Sequence, residues 1–293
     1  MPTARIVTLT TLVMLAFAGN SLLCRVALKD TNIDAASFTA IRLISGGLML
    51  WLVVQLAQGA KTDKHVWSKG RWRSALALFA YAAGFSFAYI TLTAATGALL
   101  LFGAVQVTMI GYGLKLGERL HGMQLVGFML ALSGVTGLLL PGLAAPPLLG
   151  AALMICAGVA WGIYSLRGKG TGDPTQITAG NFLRAVPIAI LLLVVRYQSL
   201  TIDVAGFWYA VASGALTSGI GYAIWYCVLP ALKAVNAAIV QLSVPVIAAV
   251  GGVLLLGEAV TLRLVLASAA ILGGIALVVV EKRRTGPRNT PAR

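Results

Sequence analysis

Ten apolar stretches of roughly 20 residues follow one another along the chain, at about 6–28, 35–57, 72–91, 95–115, 122–140, 146–167, 175–195, 205–228, 234–256 and 261–280. This series constrains the fold more than any single motif does. About 20 apolar residues in a helix match the hydrocarbon thickness of a bilayer. Within that layer the backbone polar groups must be satisfied internally, which a helix achieves within one segment. The loops between the stretches are short and leave no room for a soluble domain. Of the 293 residues, 59% are hydrophobic and 10% charged, against roughly 25% charged in soluble domains. The expected class is therefore an all-α polytopic membrane protein with ten transmembrane helices. The 33 glycines suit helices that pack closely in lipid.

The net charge of +14 would point a soluble protein toward nucleic acid. Here the Lys and Arg residues sit almost wholly in the short loops, where they orient helices. The expected surroundings are a lipid bilayer, with no nucleic-acid partner. Cys24, Cys156 and Cys227 fall in apolar runs without metal or CxxC spacing and read as small core residues. At the start, Arg5, an apolar run and Ala16-Phe17-Ala18 imitate a secretory signal with a small-residue cleavage site. The apolar stretch continues to Leu28, so a retained first helix is expected.

With the N-terminus placed in the cytoplasm, 16 Lys and Arg residues fall inside and 4 outside, with Arg42 and Arg184 within helices. That bias sets both termini in the cytoplasm.

The chain also repeats itself. Leu92–Leu120, shifted by 140, lies without a gap on Leu232–Val260, with 8 of 29 positions identical. Leu and Ala matches count for little between apolar segments. Gly117-Glu118 and Gly257-Glu258, at the same end of both copies, count for more. Residues 1–141 and 142–293 then form two similar halves. Five helices per half is an odd number, so the second half is threaded in the opposite direction. Such inverted five-helix repeats suit alternating access in secondary transporters.

At these residues the chain resembles the drug/metabolite transporter superfamily, and within it the EamA-type exporters. The resemblance spans residues 6–280. It is carried by the two Gly-Glu pairs, by Ala160-Trp161-Gly162 in the first helix of the second half, and by Arg42 and Arg184 early in the second helix of each half. The first half departs from the pattern, with Ala18-Gly19 where Trp-Gly is usual. The resemblance implies a bacterial inner-membrane exporter of aromatic and other amino acids that also passes cationic drugs.

The residues bound what a binding site could contain. All eight carboxylates lie at helix ends or in loops, whereas proton-coupled pumps generally hold an ionisable group within the membrane. The small multidrug pumps that resemble half of this architecture use a buried Glu, which has no evident equivalent here. Facilitated transport is expected, with Glu118 and Glu258 either pinning loops or carrying a proton. Arg42 and Arg184 either hold helix ends together or attract a substrate carboxylate. Tyr81, Phe85 and Tyr89 recur every four residues and share a helix face. Tyr222, Trp225 and Tyr226 do so on the eighth segment, as do Trp161 and Tyr164 on the sixth. These aromatics either line a cavity, where they would suit bulky or cationic solutes, or fill helix interfaces. Asn20, Ser21, Gln106, Thr108, Asn181, Thr217, Ser218, Asn236, Gln241 and Ser243 lie within spans and either bind the amino and carboxyl groups of a zwitterion or join helices. Of these, Asn20, Gln106 and Gln241 are the candidates for the same cavity. Pro187 and Pro245 interrupt apolar segments and are candidate hinges. Gly111, Gly113, Gly134, Gly251, Gly252, Gly273 and Gly274 are candidate close-packing positions.

There is no P-loop, HExxH, GxSxG or Cys/His cluster, so no ATP, metal, cofactor or enzymatic role is expected. The expected function is amino-acid export by alternating access. The alternatives are a carrier for drugs, cations or another metabolite, with or without proton coupling, and a non-transporting membrane scaffold.

Overall fold

The structure is a computed structural model that describes residues 2–58, 70–117, 120, 122–142, 145–168, 173–232, 237 and 240–285. Among these residues every regular element is helical. In chain order they are α1 (Thr3–Asp30), α2 (Ala35–Gln58), α3 (Trp72–Tyr89), α4 (Ala94–Lys115), α5 (Met123–Leu139), α6 (Leu148–Arg167) and α7 (Pro174–Val195). Then come α8, a continuous span over Val204–Ala231, α9 (Ser243–Leu256) and α10 (Leu262–Thr285). Seven of the described helices are long and apolar enough to cross a membrane, while α5 and α9 are shorter apolar helices. The protein is thus polytopic. Leu148, Leu254 and Leu255 each expose about three quarters of their surface (77%, 76% and 75%), which suits contact with lipid rather than water.

The helices follow the apolar runs, but two boundaries differ in kind. α9 was expected from residue 234. Of that stretch the described residues Ala237, Val240 and Gln241 are helical, a turn falls at Leu242, and α9 runs on from Ser243 with Pro245 in its first turn. Proline is tolerated there because those N–H groups have no intrahelical partner. Pro245 thus lies just past a break in the helical stretch, as expected of a proline that interrupts one. Pro187 lies inside α7, which continues through it. In α8 the segment Ser213–Ile220 is a π-helix, a wide turn the sequence pattern did not announce.

The main helix neighbours are α5 with α10, α3 with α6, α2 with α7, α4 with α6, α2 with α8, α1 with α9, α4 with α9, α3 with α7, and α1 with α8. Exchanging each helix for the one five places along returns the same set. Small residues permit the closest of these contacts. At the α5–α10 seam, a Cβ on Gly127 would stand 2.5 Å from the Gly274 carbonyl, and one on Gly134 would stand 2.8 Å from Ile271. Gly251 and Gly252 also abut neighbouring side chains, but nothing lies within 4 Å of a Cβ on Gly111 or Gly273. Those two are not close-packing positions. Nor are Cys156 and Cys227 core residues: both are exposed, and of the three only Cys24 is buried. In a bilayer an outward helix face is as apolar as the core, so composition could not separate them.

Contacts at the helix ends sort by face. At one end, Arg25 near the end of α1 reaches Glu258 after α9 and the Tyr89 and Ile90 carbonyls after α3. There too Asp34 accepts from the Thr201 N–H, and Arg263 donates to the Leu140 carbonyl. At the other end, the Arg71 N–H donates to Asn181 and Arg167 donates to Ser74. Gly117 and Gly257, the glycines of the two Gly-Glu pairs, both have positive φ, at 91° and 61°. Glycine ends helices in this way without a Cβ penalty. After Gly257 the chain turns so that the Glu258 N–H returns to the Gly252 carbonyl.

Candidate functional site

Between the helices lies a narrow cavity of about 30 Å³, room for a water or two in this arrangement. Phe17, Asn20 and Ser21 come from one face of α1, Tyr81 and Phe85 from α3, and Leu101 and Phe102 from α4. Trp161 of α6, Thr217, Ser218 and Tyr222 of α8, and Gln241 just before α9 complete the wall. The π-helix brings α8 close to α2, where a Cβ on Gly219 would stand 2.9 Å from Met49 and one on Gly214 would overlap Ser45 and the Arg42 carbonyl. Thr217 and Ser218 ride on that segment. Single π turns often occur at functional positions.

Trp161 is the hub of the aromatic wall. Its ring centre lies 4.8 Å from that of Tyr81, and it stacks on Tyr222 at 5.2 Å and on Tyr164 at 5.3 Å. Phe17 meets Tyr222 edge-on at 5.7 Å, and Phe85 follows Tyr81 at 5.5 Å. Such spacings suit tilted, edge-on and offset aromatic contacts.

A polar network runs behind and into this wall. Arg42 Nη2 donates to Tyr81 Oη at 2.8 Å, and Asn20 Nδ2 donates to the same oxygen at 3.4 Å. Asn20 Oδ1 in turn accepts from Ser213 at 2.7 Å and Thr217 at 3.3 Å. Arg42 is only 2% exposed. Its guanidinium carbon lies 4.8 Å from the Phe85 ring centre and 5.1 Å from that of Tyr81, within cation–π range. Among the described residues it makes no ion pair, and its Nη1 has no hydrogen-bond partner. The Ser218 hydroxyl on the cavity wall also lacks one.

Of the residues singled out from the sequence, Asn20, Ser21, Tyr81, Phe85, Trp161, Thr217, Ser218, Tyr222 and Gln241 meet at this cavity. The others stand outside its lining. Tyr89 lies one turn beyond Phe85, its hydroxyl on the Ala94 carbonyl at 3.3 Å and its ring against Gly97. Tyr164 backs onto Trp161 and meets Asn181 Nδ2 at 3.4 Å. Trp225 packs on Phe17, Tyr226 lies against the core, and Gln106 is buried in α4. Arg184 is half-buried and donates to the Gly180 carbonyl of its own helix. Glu258 pairs with Arg25 at 3.2 Å and accepts from the Ala94 N–H at 2.8 Å, away from the cavity. Glu118 and Asn236 lie outside the described residues.

The lining also includes Phe17, Leu101 and Phe102, which the sequence did not offer for the site. Phe17 shares a face with Asn20 and Ser21 by i, i+3, i+4 spacing, a signal available once Asn20 was chosen. Ser21, Thr217 and Ser218 are among the small polar residues that suit binding a zwitterion or joining helices, and all three reach the wall.

Residues 148–280 match the EamA-like transporter family. An uncharacterized protein of Pseudomonas aeruginosa is 58% identical over 282 residues, covering 96% of this chain and 97% of its own. An uncharacterized transporter of Archaeoglobus fulgidus is 32% identical over 170 residues, covering 57% of this chain and 60% of its own. A protein of known crystal structure has the same fold, with a TM-score of 0.67 over 96% of this chain and 99% of its own at 19% identity. The chain therefore belongs to the EamA-like transporter family, within the drug/metabolite transporter superfamily, and is a membrane transporter of small molecules.

Proposed function

We propose that this protein exports amino acids, aromatic ones among them, across the bacterial inner membrane by alternating access, with both termini in the cytoplasm and without ATP. The observation that carries this reading is the cavity. The first, third and fourth helices of one half wall it, and the corresponding helices α6 and α8 and the approach to α9 wall it from the other. Two halves of five helices, related by an exchange that preserves their neighbours, give two arrangements of similar energy around one central site. The matched left-handed glycines at 117 and 257 support the duplication, and the sorting of end contacts by face supports its inversion.

The ties at the two ends have to open in turn. Arg25–Glu258 and Tyr89–Ala94 lie on the side where α3 finishes. Asn181–Tyr164 and Asn181–Arg71 lie on the side where α6 finishes. Once such a tie opens and the cavity widens, an aromatic side chain suits the face of Trp161, and the amino and carboxyl groups of a zwitterion suit the polar groups of α1 and α8.

Uptake of labelled amino acids into proteoliposomes, with and without an imposed pH gradient, tests this. Uptake that follows the amino-acid gradient and ignores pH is the expected result. Acceleration by the pH gradient overturns the facilitated mechanism. Passage of a cationic dye without any amino acid overturns the substrate class.

A further inference from the structure

We propose that Arg42, Tyr81 and Asn20 form a receptor for the carboxylate of the transported solute, so that this transporter selects for a negative group and disfavours amines that lack one. The inference deepens the amino-acid reading above and rests on it.

The first argument is charge. Arg42 lies about 10 Å along α2 from its start, at 1.5 Å per residue, and is almost wholly removed from solvent. A buried cation normally has a paired anion, because desolvating a lone charge is costly. No carboxylate pairs with Arg42 among the described residues, and Glu258 is held by Arg25 instead. What stabilises the guanidinium is the faces of Tyr81 and Phe85 and one hydroxyl. The same two rings form the cavity wall, so the positive charge stands directly behind it. In so little water its field reaches into the cavity with weak screening.

The second argument is the direction of the hydrogen bonds. Tyr81 Oη accepts from both Arg42 and Asn20, which leaves its own proton to be donated elsewhere. Asn20 Oδ1 accepts from Ser213 and shares the Thr217 proton with the Ser213 carbonyl, and its second amide hydrogen remains free to donate. Arg42 Nη1 has an unused N–H pair, and the Ser218 hydroxyl is unused as well. Tyr81 has used its acceptors and kept its donor, while acceptor capacity among these groups is left only on the hydroxyl oxygens of Ser213, Thr217 and Ser218. A carboxylate supplies acceptors only, and hydrogen bonds to a charged group are roughly twice as strong as neutral ones. An ammonium group finds acceptors among them only at the hydroxyl oxygens of α8 and, without a carboxylate beside it, faces the repulsion of Arg42 uncompensated.

The test uses three probes with the same phenyl group: L-phenylalanine, 3-phenylpropionate, which lacks the amine, and 2-phenylethylamine, which lacks the carboxylate. Binding to the purified full chain is measured by calorimetry, and uptake is measured separately in proteoliposomes. The two carboxylates are expected to bind at least tenfold more tightly than the amine. Arg42→Met should abolish that preference and Arg42→Lys restore part of it. Should Arg42→Met fail to fold, Tyr81→Phe removes the intervening hydroxyl with Arg42 in place and should narrow the preference severalfold. Equal binding of amine and carboxylates by the unaltered protein, or no binding of any probe, overturns the proposal. Charge-selective binding without uptake of any amino acid leaves this site standing and overturns the transport reading instead.

Discussion

Arg25 Nε lies 3.2 Å from Glu258 Oε1, joining the end of α1 to the residue that follows the left-handed glycine closing α9. Both side chains are largely shielded, at 12% and 6% exposed. Each has a second hold: Arg25 on the Tyr89 and Ile90 carbonyls, Glu258 on the Ala94 N–H. Four helix ends are thereby tied at one face of the bundle. Hydrogen bonds to charged groups contribute about 1.5–3 kcal/mol. Glu258→Gln and Arg25→Met should each lower stability by about 2 kcal/mol, and the double variant should lose clearly less than the sum. Thermal unfolding in detergent measures the cycle. Additive losses would mean that the two residues act separately.

The α5–α10 seam makes a sharper prediction because it contrasts adjacent residues. A Cβ on Gly274 would collide with the Gly127 carbonyl and stand 2.6 Å from the Ala131 nitrogen, both backbone atoms that cannot step aside. A Cβ on Gly273 meets nothing within 4 Å. Gly274→Ala should destabilise by about 1–3 kcal/mol, as overpacking does. Gly273→Ala should be neutral or slightly stabilising, since alanine is the better helix former. Equal unfolding temperatures for the two variants would contradict this packing.

These contrasts show where the sequence was informative. Apolar length announces a membrane helix because the bilayer sets that length, and the helices follow the apolar runs closely. Which face of a helix looks inward is a different matter. Lipid is as apolar as a core, so Cys24 and Cys156 occupy similar sequence contexts, yet one is buried and the other exposed. The site shows the same division. Tyr81, Phe85 and Tyr89 share a face by spacing, but only the first two reach the cavity. Tyr89 is drawn away by the Ala94 carbonyl and by the space that Gly97 leaves. The π-helix in α8 lies where Gly214 and Gly219 meet α2, a contact between distant parts of the chain that local pattern cannot contain.

Trp161 stands between Tyr81 and Tyr222 and contacts the rings of both. Under the amino-acid reading it is the plate on which an aromatic side chain stacks. Trp161→Ala should raise the KM for labelled phenylalanine about tenfold, consistent with roughly 0.5–1.5 kcal/mol for an aromatic pair plus lost apolar contact. Trp161→Phe should recover most of it. Uptake of a small aliphatic amino acid should change less, and this comparison in proteoliposomes separates a stacking role from general damage to the bundle.

Asn20 allows the structural and binding roles of one residue to be separated. Its carbonyl oxygen holds Ser213 and Thr217 of α8, and its amide nitrogen reaches Tyr81 of α3, so one side chain links three helices. Asn20→Leu keeps the size and removes all three bonds. Ser213 then loses its acceptor in a buried place, while Thr217 keeps the Ser213 carbonyl, so stability should fall by about 1–3 kcal/mol. Asn20→Asp keeps the oxygen that the two hydroxyls need, and so should fold with less loss than Asn20→Leu. It also introduces a carboxylate beside Tyr81, where it competes with the solute for the field of Arg42. Affinity for phenylalanine should then drop at least tenfold while affinity for 2-phenylethylamine rises, an inversion that a merely weakened bundle would not produce. Unfolding temperature and calorimetric affinity, measured on the same preparation, check the two halves of this prediction together.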